Sequence, residues 1–212
     1  LHGYFRSSAA WRVRAALALK GVAVEHAFRH LRRNEQRDPA YLRLHPQGLV
    51  PALELDDGAV LTQSLAIIEW LDETHPEPPL LPRDALARAR VRAFALAIAA
   101  EIHAVQNLKV LNRVKALGHP QEVANAWAHD TIADGLAACE SMLRDDAGAG
   151  PFCFGATPGL ADLCLVPQLY NARRFNVDLT VMPRLLAAEA ACLTMPAFTA
   201  TAPERQPDAE PG

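Results

Sequence analysis

Hydrophobic and polar positions change period along this chain, and the change divides it. In the first third, short apolar runs alternate with amphipathic stretches. Residues 1–5 and 22–28 read as strands, and residues 10–20 between them read as a helix closed by Gly21, a frequent C-terminal cap. Residues 51–55 and 59–61 flank Asp56-Asp57-Gly58, whose Asp-Gly pair signals a hairpin. Ser64 then stands where it can cap a helix running to about His75. A strand–helix–strand start followed by a hairpin and a helix predicts a thioredoxin-like α/β domain over residues 1–75.

Four prolines in the run His75-Pro76-Glu77-Pro78-Pro79-Leu80-Leu81-Pro82 cannot continue a helix, so a linker is predicted at 76–84. Beyond it the strand signal all but disappears. Residues 85–117 are Ala-rich and free of Gly and Pro, and predict one long helix stopping at Gly118-His119-Pro120. A second long helical pattern covers 121–143. A third covers 160–175 with Pro167 inside it, predicting a kink or break. Pro183 and Pro196 suit the first positions of two short helices. The tail from Pro203 is proline-rich and polar, and is expected to be loose. Residues 85–212 therefore read as an all-helical domain.

Composition narrows the function. The chain has 212 residues, half of them hydrophobic, which is enough for the cores of one or two compact units. A formal charge of −3 argues against general binding to nucleic acid or a membrane surface. No run reaches the length expected of a transmembrane helix, and the first residues lack a secretory pattern. The four cysteines, Cys139, Cys153, Cys164 and Cys192, have neither metal-ligand nor C-x-x-C spacing, so no metal is expected. Cys139 and Cys164 lie among apolar residues and read as core fillers, and a reduced cytoplasmic compartment is the expectation.

Three segments carry candidate chemistry. In Tyr4-Phe5-Arg6-Ser7-Ser8-Ala9-Ala10-Trp11-Arg12-Val13-Arg14, a strand enters a hydroxyl-bearing turn and a helix opens beside three arginines. A helix N-terminus has unpaired N–H groups and a partial positive charge, which suits an anion or a thiolate. An ordinary capped helix with solvated arginines fits the same residues. Val50-Pro51, taken alone, favours a trans proline opening an edge strand; a cis bond would instead turn the Val50 backbone outward to pair with a peptide ligand. Gln63-Ser64 precedes a helix, where a hydroxyl and free amides can receive a carboxylate or simply cap the helix.

Phe5-Arg6-Ser7-Ser8 running into Trp11-Arg12-Val13-Arg14 strongly resembles the active-site motif of zeta-class glutathione transferases, the maleylacetoacetate and maleylpyruvate isomerases. The resemblance continues through Val50-Pro51, Gln63-Ser64, Ala161-Asp162-Leu163-Cys164-Leu165-Val166-Pro167-Gln168 and Asn171-Ala172-Arg173-Arg174-Phe175, and ends near Gln206-Pro207-Asp208. It implies the glutathione transferase fold, a homodimer and glutathione as cofactor. By the resemblance, Ser7 stabilises the glutathione thiolate with Ser8 close by. Val50 and a cis Pro51 receive the cysteine backbone of the tripeptide, and Gln63 and Ser64 its γ-glutamyl end.

The implied reaction is cis–trans isomerisation of a small maleyl dicarboxylate. Arg6, Arg174 and Lys109 match positions near its carboxylates, and His103 and Gln106, spaced i, i+3, share a face that can line the site. A packed or exposed His103 fits equally. Arg173 reads as solvated, and Arg12 and Arg14 as structural or solvent-facing. Lysine at 109 offers a point charge in place of a bidentate fork. The family commonly carries Ser-Ser-Cys-Ser-Trp where this chain has Ser7-Ser8-Ala9-Ala10-Trp11; isomerisation by the glutathione thiol need not be abolished by that change, whereas reactions with α-haloacids and inactivation at the family cysteine are open. Gly159 stands where the family has Ser or Thr, leaving Asp162 to accept backbone N–H bonds in a folding role. A serine hydrolase lacks an identifiable base, acid or G-x-S-x-G elbow here. A general conjugating transferase and a non-catalytic glutathione-fold binding protein remain as alternatives.

Overall fold

The computed structural model describes residues 1–146 and 150–210. They form two compact units, Leu1–Leu80 with Leu193–Gly212, and Leu81–Cys192. The first unit is α/β and the second all-helical.

In the first unit, β1 (His2–Gly3) leads through α1 (Ser8–Lys20) to β2 (Ala27–Phe28), which pairs parallel to β1. A short helix α2 (Pro39–Leu44) follows, then β3 (Ala52–Glu54), β4 (Val60–Thr62) and α3 (Ser64–Thr74). The sheet order is β2-β1-β3-β4, with both β3 pairings antiparallel. This is the thioredoxin-like layout that the alternating pattern predicts. Gly21 ends α1 at φ 65°, its amide bonding back to Ala18 O, and Gly58 turns the β3–β4 hairpin at φ 86°. Both positions need the left-handed backbone that glycine adopts without steric cost.

The strand predicted at 22–28 is confined to two residues, because β1 offers only His2 and Gly3 as partners. The proline run is anchored in its first half: Lys20 Nζ bonds Asp72 Oδ1 at 2.7 Å and the carbonyls of His75 and Pro78 at 2.6 Å, and Asp72 also accepts the Leu80 amide. Those bonds hold the chain to the first unit as far as Leu80, beyond the expected domain end at 75.

Residues from Leu193 onward also pack with the first unit, whereas the expected range 85–212 put them in the helical domain. Helix α10 (Pro196–Thr199) sits against α1, and a 3₁₀ turn, Pro203–Arg205, follows. Trp11 Nε1 donates to Thr201 Oγ1 at 3.0 Å, and the Phe5 amide to Asp208 Oδ2 at 2.9 Å. Those bonds give order to a tail whose composition predicts none.

The second unit runs α4 (Ala85–Leu96), a π-helical turn (Ala97–His103), α5 (Ala104–Gln106), α6 (Leu108–Ala116), α7 (Gln121–Asp146), α8 (Leu160–Arg174) and α9 (Pro183–Cys192). The expected single helix over 85–117 is broken. Asn107 leaves the helical region at φ −69°, ψ 165°, and its side chain caps the Val110 amide at 3.2 Å. By length and apolar composition the stretch Ala85–Ala116 would also suffice to cross a membrane, contrary to the expectation from sequence. Its Val91, Phe94, Ile98 and Ile102 are instead buried inside the protein. Asp162, in the first turn of α8, is 1% exposed and accepts the amides of Cys153 and Gly159 at 2.9 Å, the folding role expected of it. Burial raises its pKa, and those amides oppose the rise.

Gly135 in α7 faces Ile102 of the π turn so closely that a Cβ there would collide with Ile102 Cγ1 and Cδ1. Ile102 is 1% exposed, so it would have to shift within the packed core. Gly135→Ala is therefore expected to destabilise the fold by about 1–3 kcal/mol through overpacking, reversing the roughly 1 kcal/mol that alanine gains in an open helix. Urea unfolding of the variant checks the sign.

All four cysteines are buried and none is in a disulfide. Burial pushes Cys139 up to about 12 and also raises Cys153 and Cys192, with the Asp162 carboxylate adding to the last two. A thiol-exchange reagent at pH 8 should find no fast-reacting thiol in the native protein and four after denaturation. One rapidly labelled native cysteine would contradict this arrangement.

Candidate functional site

Strand β1 ends in a turn that points the chain into α1. The Ser7 amide bonds the Tyr4 carbonyl at 3.0 Å, and Ser7 is the N-cap, with extended backbone at φ −70°, ψ 115°. Its hydroxyl oxygen accepts the Ala10 amide at 3.2 Å. An oxygen that accepts in this way keeps its own hydrogen to donate elsewhere. No acidic side chain lies in the first turn of α1, so the partial positive charge of the helix end is not neutralised from within that turn. Ser8, the first helical residue, is buried, whereas Ser7 and Arg6 are half-buried. The Arg6 guanidinium lies 5.1 Å from the Phe5 ring centroid.

The Val50–Pro51 bond is cis, the alternative that the residues alone did not favour. Val50 shares a buried cluster with Tyr4, Phe5, Tyr41 and Ala52, which places the cis-proline loop beside the strand leading to Ser7. The Tyr41 hydroxyl ties the loop down by donating to the Leu49 carbonyl.

At α3 the capping differs from expectation. Gln63, not Ser64, is the N-cap, and its side chain makes no capping bond. It sits at φ 69°, a left-handed conformation that a residue with a side chain occupies only when its surroundings hold it there. Its Nε2 donates to Gln47 Oε1 at 2.7 Å. Ser64 is the first helical residue, 6% exposed, and its hydroxyl oxygen accepts Arg12 Nη1 at 3.4 Å.

Sequence reasoning missed that link. Arg12 is 1% exposed and joins α1 to the head of α3, and Arg14, 5% exposed, bonds the Tyr4 and Phe5 carbonyls at 3.4 and 3.0 Å. Both are internal struts and neither faces solvent. Arginines on adjoining faces of a helix give no sequence signal of which are inward; the one hint was an apolar pattern too weak to supply a purely hydrophobic inner face. The first unit thus brings Arg6, Ser7, Ser8, Val50, Pro51, Gln63 and Ser64 onto connected loops and helix ends.

The remaining candidates lie in the helical unit. His103 closes the π turn and is half-buried, and Gln106 is buried at the end of α5. The Asn107 break puts Lys109 in the first turn of a separate helix, α6, where it is exposed. It is therefore not on one continuous helix with His103. Arg174, exposed at the end of α8, donates to Asn171 Oδ1 at 3.3 Å. Phe175 beside it packs against the cluster of Leu111, Ala124 and Ala128, so that end of α8 lies beside the helix carrying Lys109. Arg173 is not merely solvated: it makes a two-point ion pair with Glu189, one bond at 2.6 Å. That pairing commits Arg173 to the fold and leaves Arg174 as the candidate for a ligand.

Comparison with known proteins gives the family. The model of the glutathione S-transferase N-terminal domain matches residues 6–74, and that of the C-terminal domain matches residues 69–188. Maleylacetoacetate isomerase of Pseudomonas aeruginosa is 45% identical over 210 residues, covering 98% of this chain and 97% of its own. The holo structure of a maleyl pyruvate isomerase, a bacterial zeta-class glutathione S-transferase, superposes with a TM-score of 0.95 at 45% identity over 99% of each chain. Maleylacetoacetate isomerase of Anaeromyxobacter dehalogenans, solved with glutathione in its active site, gives 0.89 at 47% identity over 99% of this chain and 97% of its own. The chain belongs to the glutathione S-transferase family, in its zeta class.

Proposed function

We propose that the protein is a glutathione-dependent cis–trans isomerase that converts maleylpyruvate or maleylacetoacetate to the fumaryl isomer, in the breakdown of aromatic compounds or tyrosine. The observation that carries this reading is Ser7, whose hydroxyl caps α1 through its oxygen and keeps a hydrogen to give. The activities for which its relatives are named support the reaction class.

The residues present fit glutathione. Val50, at a cis proline, offers backbone N–H and C=O to the cysteine of a tripeptide. The head of α3, with Ser64 backed by Arg12 and Gln63 held at positive φ, suits the γ-glutamyl carboxylate. Bound glutathione supplies a thiolate that adds to the cis double bond and leaves after rotation, so none is consumed.

The protein's own task is to ionise and direct that sulfur. The Ser7 hydroxyl donates to it, and the amide end of α1 with Ser8 favours its negative charge. Arg6, adjacent in the turn, holds a substrate carboxylate. In the helical unit Arg174 and Lys109 are the candidates for the substrate's negative charges, with His103 and Gln106 as further candidate lining residues. Lys109 occupies a first helical turn without an acidic residue, where a bound anion would be favoured by both the lysine and the helix end. Four cysteines outside any disulfide suit a reduced cytoplasmic compartment. The zeta-class membership implies a homodimer.

Freshly generated maleylpyruvate and maleylacetoacetate, each with and without glutathione, test the reading by chromatography of the products. A fumaryl product formed catalytically only with glutathione, which is recovered intact, is the expected result, and the faster substrate identifies the pathway. Stable conjugates would favour a general transferase; glutathione binding without turnover would favour a binding protein. Ser7→Ala is expected to lower kcat by about 10²-fold, the scale of losing one preorganised donor to developing charge, while changing glutathione affinity much less. Unchanged turnover would remove Ser7 from the mechanism.

A further inference from the structure

The C-terminal segment of the first unit grips the backbone that presents Ser7. Phe5 is held on both sides: its amide donates to Asp208 Oδ2 at 2.9 Å, and its carbonyl accepts Arg14 Nη2 at 3.0 Å. Arg14 Nη1 also reaches the Tyr4 carbonyl at 3.4 Å, the same oxygen that accepts the Ser7 amide. The third arm of this guanidinium, Nε, donates to the Thr201 carbonyl at 3.1 Å. Ala209 packs on the cluster of Tyr4, Phe5, Tyr41, Val50 and Ala52, and Glu210 Oε1 accepts His30 Nε2 at 2.9 Å and Arg33 Nη2 at 3.3 Å. Residues 201–210 thus bond or pack along the strand end, the cis-proline loop and the turn before α1.

Charge reinforces the geometry. Arg14 is 5% exposed; burial pushes its guanidinium down to about 10, and the Asp208 carboxylate opposes that shift. The tail therefore provides both a countercharge for Arg14 and an acceptor for the Phe5 amide. Burying either partner alone would be costly.

We propose that the C-terminal segment positions the sulfur-activating turn, with Asp208 as the positioning residue that fixes Phe5 directly and steadies Arg14 over the Tyr4 and Phe5 carbonyls. Through these contacts it sets the orientation in which Ser7, two residues further on, presents its hydroxyl. The inference rests on the reading of Ser7 as the donor to a bound thiolate. Asp208 is assigned a positioning role, acting through the Phe5 amide.

Asp208→Ala and Asp208→Asn in the full chain test it. Asparagine keeps a carbonyl oxygen for the Phe5 amide and loses the charge; alanine loses both. The readouts are the pH titration of thiolate ultraviolet absorbance for protein-bound glutathione, kcat against KM, and the melting temperature. In the wild type the bound thiol should ionise below the roughly 8.5 of a free thiol. In Asp208→Ala it should move back up by about one pH unit, a tenfold loss of thiolate at a given pH below both values. A fall in kcat of similar size should accompany it, with KM for glutathione changed less, and Asp208→Asn should recover most of both. Should the alanine variant fail to fold, Asp208→Asn and Asp208→Ser carry the same comparison. A lowered melting temperature with an unchanged thiol titration and kcat would make the contact purely structural and overturn the proposal. A wild-type complex that binds glutathione without lowering its thiol pKa would instead refute the Ser7 reading, and this inference with it.

Discussion

A buried guanidinium ties together the two ends of the first unit. Arg14 carries a permanent charge and five N–H donors into a place where it is 5% exposed, so the chain must bring acceptors to it. They come from the end of β1, through the Tyr4 and Phe5 carbonyls, and from Thr201 nearly two hundred residues later. Asp208 completes the set by taking the Phe5 amide and opposing the loss of charge. An aliphatic residue at position 14 could fill the volume but would leave the two carbonyls to find other donors. The need to pair one cation thus joins the two ends of the sequence at the turn where α1 begins.

What sequence reasoning could read in this unit was local chemistry. Gly21, Asp57-Gly58 and the prolines opening α9 and α10 each act through a backbone preference of one or two residues, and each element lies where those preferences put it. The tail shows the opposite case. Its prolines and polar residues supply no periodic apolar face, and its order comes from partners in Tyr4, Phe5, Trp11 and Arg14 that composition cannot reveal. The same limit applies to Arg12, since only the fold shows that its guanidinium meets Ser64. The family resemblance named the residues on either side of these links without naming the links.

In the helical unit the illegible features are changes of helical register. Nothing between Ala85 and Ala116 punctuates the sequence, yet a π turn at Ala97–His103 and the exit at Asn107 divide it. Asn107 was the available signal, because asparagine is a favoured N-cap, but it lay within an uninterrupted helical pattern. The π turn has a tertiary counterpart: Gly135 on α7 lets Ile102 approach closer than any side chain would allow. Part of the apolar content that gives this stretch a membrane-like composition, Val91, Phe94, Ile98 and Ile102, is buried in the core.

The alanines at positions 9 and 10 give the site its electrostatic character. A cysteine thiolate at the head of α1 would itself be favoured by the helix end and would partly neutralise it. This chain has none there and no acid in the first turn, and its four thiols are all buried, with burial raising Cys139, Cys153 and Cys192. Two of the three nearby arginines are committed inward, Arg12 to Ser64 and Arg14 to backbone carbonyls, leaving Arg6 in the turn. The positive end of the helix is therefore compensated by no charge of α1's own first turn. On the proposed reading, an incoming thiol would meet that field together with the Ser7 hydroxyl, and its ionisation would supply the negative charge that α1's first turn lacks.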